Sequence, residues 1–271
     1  MKKTLKKTIR TLQIQFPVLQ NYKFNIIRFI RNQFKIPFEQ DFKALSLLPI
    51  PKDALFLDVG ANRGQSTDAI FMNVDKQIRL QLFEPNQFLC KKLSKFFGDN
   101  SQVTIKNFGL GDENTTSPLF VPFYNQWMFD GLASFVEYEA VSWLQNRVFF
   151  YNQELLKVQK TDCQVKKLDD LNVDPFFMKL DVQGYELAAL KGGEQTIKKH
   201  KPILLIENPD ELDLIIDYLR EFGYQIYAFQ EGKFILNTKG HLNTFFMTPD
   251  KLALADTVDN RTASDVELSK V

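Results

Sequence analysis

Cysteine and histidine are scarce in this chain, with two of each among 271 residues. Cys90 and Cys163 are too few for a disulfide framework and lack the paired spacing of a zinc site, which points to a reducing compartment and ordinary half-buried thiols. His200 stands among Lys198, Lys199 and Lys201, and His241 follows Gly240 in a turn, so both read as solvent-facing side chains. No P-loop, serine-hydrolase or zinc-protease signature occurs, and no ligand spacing supports a metal site. Long apolar runs are missing too. Nothing approaches the roughly 18 to 20 apolar residues that cross a bilayer. After the basic start, Gln13, Gln15, Gln20, Asn21 and Lys23 interrupt any signal-peptide core. The expected location is cytoplasmic, with peripheral attachment at a membrane surface as an option.

Acid is absent before Glu39. Nine basic residues, Lys2 through Lys35, give that arm +9 and leave −8 on the rest of a chain whose total is +1. General nucleic-acid binding is therefore not expected. The arm ends in Phe24 to Lys35, where Ile26, Ile27, Ile30 and Phe34 share one helical face and Arg28, Arg31 and Lys35 fall largely elsewhere. Such a basic amphipathic helix can lie on an anionic membrane or a partner, or simply cap the main domain with its charges in water.

From Leu55 short apolar strands alternate with amphipathic helices, the order of a doubly wound α/β fold with a mainly parallel sheet. Strands are expected at Leu55 to Val59, Arg79 to Phe83, Val103 to Phe108, Phe176 to Leu180, Ile203 to Glu207 and Gln225 to Phe229. Helices are expected to start near Gly64, Asn86, Tyr185 and Asp210. Lys233 to Asn237 and Asn243 to Met247 read as an antiparallel hairpin closing the sheet edge. These spans divide the chain into a basic extension (1–50), a catalytic domain (51–255) and a polar, disordered tail (256–271). An aromatic-rich insert, about 118–162, reads either as a local core or as a pocket that stacks on a substrate ring.

The densest functional signal is Leu55-Phe56-Leu57-Asp58-Val59-Gly60-Ala61-Asn62-Arg63-Gly64-Gln65. An apolar strand enters a turn with glycines four apart and then a helix, so backbone can approach a ligand closely. Glu84 ends the next strand, where a doubly wound sheet presents a carboxylate to ribose hydroxyls. Asn62 occupies the second glycine position of the dinucleotide fingerprint, and Asp58 would repel a pyrophosphate. A phosphate-free nucleoside with a cationic end, such as S-adenosylmethionine, fits better than NAD. An NAD-type oxidoreductase and a non-catalytic binding protein that keeps the fold stay open as alternatives.

Asp58 to Gly64, Phe83-Glu84-Pro85, Asn107 through Gly111-Asp112, Lys167-Leu168-Asp169-Asp170-Leu171 and Lys179 to Glu186 followed by Leu190-Lys191-Gly192 together resemble the FkbM family of methyltransferases, in order, over about half the chain. The resemblance implies a class I methyltransferase, Rossmann-like fold, S-adenosylmethionine as donor, and O-methylation of a hydroxyl on a sugar, glycan or natural-product acceptor. It would place Asp58, Gly60, Asn62 and Gly64 at the methionine part, Glu84 at the ribose, and Asn107 and Asp112 near the adenine. A frequent variant of the family carries Glu where this chain has Gln183, which weakens position 183 as a base. Asp181 and Glu207 end adjacent apolar strands and are the first and second candidates for the catalytic base, each with a loop-shaping role as its rival; Glu186 is expected on the same rim.

Overall fold

A computed structural model describes residues 2–142, 144–145, 147–252 and 258–259. Helices α1 (Lys2–Gln13) and α2 (Gln20–Phe34) form the arm, and a linker with a 3-10 segment (Gln40–Leu47) leads to the sheet. There follow β1 (Ala54–Val59), α3 (Gln65–Asn73), β2 (Ile78–Phe83), α4 (Gln87–Phe97) and β3 (Val103–Lys106). The insert contributes β4 (Gly109–Leu110), β5 (Thr115–Tyr124), β6 (Trp127–Met128), α5 (Glu137–Ser142) and β7 (Leu156–Lys166). The chain returns through β8 (Pro175–Leu180), α6 (Glu186–Lys191), α7 (Glu194–His200), β9 (Ile203–Glu207), α8 (Leu212–Arg220), β10 (Gln225–Gln230), β11 (Lys233–Leu236), β12 (Asn243–Met247), α9 (Pro249–Leu252) and β13 (Val258–Asp259).

The main sheet runs in the order β13-β11-β10-β12-β9-β8-β1-β2-β3. The chain winds outward from β1 to β2 and β3, then comes back on the other side as β8 and β9, all in parallel. The direction of winding thus reverses between β1 and β8, and the crevice beyond their C-terminal ends is where an open α/β sheet takes a ligand. All six residues of β1 are buried, as a strand covered on both faces requires. Its side chains alternate. Phe56 packs with Ile70, Leu93 and Phe177 on the side covered by α3 and α4, whereas Leu55, Leu57 and Val59 pack with Leu190, Ile215 and Leu219 on the side of α6 and α8.

Three expectations need correction. The closing hairpin joins β10 to β11 through Glu231 and Gly232, whose φ values of 51° and 80° suit a tight two-residue turn. β12 does not pair with β11; it inserts between β9 and β10, antiparallel to both, and is buried at every residue. The expected third strand stops at Lys106, because β4 leaves the main sheet and pairs with β7. The insert is therefore a sheet of its own, β4-β7-β5-β6, reaching from Gly109 to Lys166 around a ten-pair ladder between β5 and β7. Of the tail from Asp256, only Val258 and Asp259 lie within the described residues, and they pair parallel with β11.

Two motifs quoted for their order turn out to meet. A Cβ on Gly192 would lie 1.8 Å from the carbonyl oxygen of Gly111. Asp169 caps the start of α7 beside them by accepting from the Gln195 and Thr196 amides at 3.1 and 2.8 Å. Gly192→Ala is therefore expected to cost about 2 to 3 kcal/mol through overpacking. Gly131→Ala, whose Cβ would meet nothing within 4 Å, should leave the melting temperature unchanged. Equal melting curves for both variants would contradict the close approach.

Candidate active site at the ends of β1, β8 and β9

The turn after β1 is shaped by backbone contacts. Gly60 has φ 81°, and an added Cβ would stand 1.9 Å from the carbonyl oxygen of Asp181. The Gly60 and Ala61 amides donate to Phe83 at 3.0 and 3.2 Å, and the Asp181 amide donates to Val59 at 3.1 Å. Asn62, at φ 49°, tolerates the left-handed region better than most side chains. Its amide donates to Glu84 Oε2 at 2.8 Å, and the Asn86 amide donates to Oε1 at the same distance. Burial pushes the Glu84 carboxyl up to about 7, although both amides favour the charged form. Each carboxyl oxygen keeps a lone pair for a hydroxyl donor.

A cavity of about 70 Å³ lies beside this turn, with Gly60, Asn62, Glu84 and Asp181 in its wall. Gly131, Ser134 and Phe135 of the insert also line it. The Ser134 hydroxyl donates to the Gln183 carbonyl at 2.7 Å, and the Phe135 ring packs on Tyr185 with centroids 5.3 Å apart. Phe135 and its neighbours in the insert thus close one side of this narrow space. The insert's aromatics divide between a local core and the wall of this cavity. Tyr124 and Trp127 form a local core with Leu144, Val148 and Ile14 of the arm, while Phe135 faces the cavity.

Of the residues expected at the donor, Gly60, Asn62 and Glu84 line this cavity and four others do not. Strand parity turns Asp58 to the α3 side, where its carboxylate accepts from the hydroxyls of Ser66 (2.7 Å) and Thr67 (2.7 Å). Gly64 makes room for a neighbouring helix, since a Cβ there would lie 2.5 Å from the Phe97 ring. Asn107 donates to the Glu84 and Pro85 carbonyls at 3.0 and 3.1 Å and so shapes the loop that carries Glu84. Asp112 is exposed. The two buried thiols also serve that loop, Cys90 donating to the Glu84 carbonyl and Cys163 to that of Pro85. Burial raises them to about 12 and about 11, which leaves no nucleophilic thiolate.

Asp181 and Glu207 do come together, through a residue that the sequence left without a role. The Gln183 side-chain amide donates to Asp181 Oδ1 at 2.8 Å and to Glu207 Oε2 at 2.7 Å. Lys179, buried in β8, donates to Asp181 Oδ2 at 2.9 Å. Burial would raise Asp181, but Lys179 and the hydrogen bonds from Glu207 and Gln183 outweigh it and hold the group well below the usual range. Burial and the neighbouring Asp181 push Glu207 the other way, up to about 9. Two carboxyl groups this close do not both ionise at neutral pH; the proton stays on Glu207. Glu186 lies beside the rim but is buried. Its carboxylate accepts from the Val182 and Gly184 amides at 2.9 and 3.0 Å and fixes the loop instead.

On the far side of Gln183 opens a second cleft, of about 740 Å³. Its wall includes Glu139, Glu186, Glu207, Asp210 and Glu211, with Arg147 as the one cation among the described residues. Gln183 borders both spaces.

The Glu207 proton gives a signed prediction. A carboxyl held at about 9 in the folded protein, against an ordinary 4.5, stabilises the fold fully below 4.5, and that contribution is lost as pH rises through 9. Glu207→Gln keeps an uncharged hydrogen-bonding group. The parent should melt lower at pH 9 than at pH 6, and the variant should lose less over the same interval. Parallel pH profiles would mean that Glu207 is already ionised at pH 6.

The methyltransferase FkbM domain matches residues 58–226 of this chain, more than half of its length. Among solved structures, the chain is similar to methyltransferase FkbM from Methylobacillus flagellatus KT, at 20% identity over 75% of this chain and 47% of that one, with a TM-score of 0.47. It is also similar to an rRNA methylase from Streptococcus thermophilus (11% identity, 78% of this chain and 94% of that one, TM-score 0.41). A third likeness is to TrmK from M. capricolum in complex with S-adenosyl-homocysteine (10% identity, 85% and 74%, TM-score 0.37). The chain spans about half the length of the first of these. No curated protein matches it in sequence.

Proposed function

This chain belongs to the FkbM methyltransferase family, and on that premise we propose that it uses S-adenosylmethionine to methylate a hydroxyl of an uncharged sugar, glycan or natural-product acceptor. The observation that carries the acceptor class is the rim of Asp181, Gln183 and Glu207 standing between the cavity at Glu84 and a cleft rich in carboxyl groups. Carboxyl and amide groups hydrogen-bond sugar hydroxyls readily, while that cleft repels phosphates and hence nucleic acid.

The residues of the cavity suit such a donor. Glu84 has lone pairs left for two ribose hydroxyls, and the bare Gly60–Asn62 turn lets backbone approach the ligand. When bound, S-adenosylmethionine supplies a methyl carbon on a sulfonium leaving group, so that an acceptor oxygen gains the methyl as the carbon–sulfur bond breaks. The protein's task is alignment and the removal of one proton. Asp181 is the group kept ionised by Lys179, and it accepts the hydroxyl hydrogen as attack proceeds. A carboxylate with so low a proton affinity is a weak base, which suffices where the leaving group is already good. Gln183 holds Asp181 in place and leaves Glu207 to keep its own proton.

Calorimetric titration with S-adenosylhomocysteine should show saturable binding that Glu84→Ala weakens by about 1 to 3 kcal/mol. Absence of binding to the parent would end the donor assignment. Asp181→Asn should keep that affinity and lose turnover by about 10²- to 10⁴-fold. Undiminished turnover would reduce Asp181 to a residue that shapes the loop.

A further inference from the structure

The arm is amphipathic the wrong way round for a helix that merely caps a domain. On α2 the side turned inward carries Gln20, Phe24, Arg28 and Arg31. Gln20 exchanges hydrogen bonds with the Met128 backbone. Arg28 makes a two-pronged ion pair with Asp68 at 2.6 and 2.8 Å, and its guanidinium lies 3.9 Å from the centroid of Phe96. The side turned outward is apolar: Tyr22, Ile26, Phe29, Ile30 and Phe34 are all exposed, Phe29 by 68% and Phe34 by 70%. α1 repeats the pattern, with Ile14 just past its end buried and Leu5, Ile9 and Leu12 exposed. Among the described residues, thirteen of the twenty exposed large apolar side chains fall in the first 38 positions. A contiguous apolar surface of this kind marks a contact site.

A cavity of about 290 Å³ lies behind the outer face of α2, against α3 and α4. Lys23, Arg28, Arg31, Arg63, Lys92 and Lys95 line it, and among the described residues Asp68, already bound by Arg28, is the only carboxylate in its wall. Arg63 is 6% exposed and its Nη2 has no hydrogen-bond partner. Burial, together with nearby Arg63, lowers Lys92 to about 8, outweighing the opposing pull of Asp130, which pairs with Arg63. The rest of the wall includes Ile27, Phe38, Met72 and Phe96. Cationic groups beside apolar ones match a charged headgroup joined to hydrocarbon better than a free inorganic ion.

We propose that the arm seats this protein on an anionic phospholipid bilayer, with the outer apolar stripes of α1 and α2 in the interface and a lipid phosphate in the basic cavity behind α2. Charge decides against a second copy as the occupant. Pairing arm to arm would oppose nine cations with nine, and elsewhere the exposed large apolar residues are scattered singly, as at Phe88, Tyr138 and Leu214. Among the described residues, no helix is long and apolar enough to cross a membrane, so the contact is one of lying on the surface. The proposal does not depend on the methyltransferase reading.

Flotation of the full chain with phosphatidylcholine vesicles, with and without phosphatidylglycerol, tests it. The parent should float with the anionic vesicles and far less with the neutral ones. Phe29→Ser/Phe34→Ser and Arg31→Glu/Lys95→Glu should each lose about tenfold or more of that binding, since apolar burial and headgroup attraction both contribute. Both variants should retain the parent's near-ultraviolet circular dichroism, because the substituted side chains are exposed or lie at the cavity rim. No flotation of the parent, or equal flotation of parent and Phe variant, would overturn the proposal. So would a stable parental dimer that the Phe variant dissociates, which would assign the stripe to a second copy. Displacement of the parent by millimolar inorganic phosphate, with the Phe variant still bound, would assign the cavity to a soluble anion and equally overturn it.

Discussion

The site depends on the approach of two backbones at Gly60 and Asp181. The end of β1 passes so close to the end of β8 that a single Cβ would lie 1.9 Å from a carbonyl oxygen. Around this point the amides of Gly60, Ala61 and Asp181 stitch β2, β1 and β8 together. The turn then presents the Asn62 amide to Glu84, and β8 delivers Asp181 to the opposite wall of the same cavity. Any side chain at position 60 would part the strands and separate the two carboxyl groups on which the proposed chemistry rests. Glycine here serves geometry first and ligand approach second.

The charges of the rim follow from strand parity. Phe177, Lys179 and Asp181 alternate with Met178 and Leu180, so Lys179 and Asp181 project to the same side of β8, as Phe56 and Asp58 do from β1. Burial would favour loss of the Lys179 proton, yet Asp181 and Asp58 hold it more firmly than water does. With that cation fixed, Asp181 is the carboxyl group that ionises and Glu207 the one that does not. An amide at position 183 is the natural bridge between them. It offers two hydrogens, one to each, where a glutamate would add a third carboxyl group to a crowded site.

Much of this was legible in the sequence. The five parallel strands appear within a residue or two of their expected places, apart from the early end of β3, and Asp181 and Glu207 converge as adjacent strand ends should. What sequence order could not convey was which neighbour each group meets. Asp58 precedes a glycine turn and so reads as a ligand group, but alternation along β1 points it at Ser66 and Thr67. Polar turn residues between β11 and β12 suggest a hairpin, whereas the uninterrupted burial of β12 is the mark of a strand inside the sheet. Lys179 could have been noticed, since a lysine within Phe-Phe-Met-Lys-Leu needs a partner, and the nearest on its side of the strand is two residues on.

The arm shows the limit of reading charge from sequence. Periodicity correctly separated an apolar face of α2 from a basic one, and the usual inference is that the apolar face turns inward. Here the anchor is Arg28, because Asp68 and the rings of Phe96 and Phe97 offer a guanidinium both a carboxylate and flat apolar cover. A second guanidinium extends the attachment to the site itself. Arg63 follows Asn62 directly, pairs with Asp130 of the insert, donates a hydrogen bond to Asn21 Oδ1 and lies 4.1 Å from the Phe24 ring centroid. One side chain thereby touches the arm, the turn after β1 and the insert segment that roofs the cavity. The arm and that roof are thus fastened to the same buried residue.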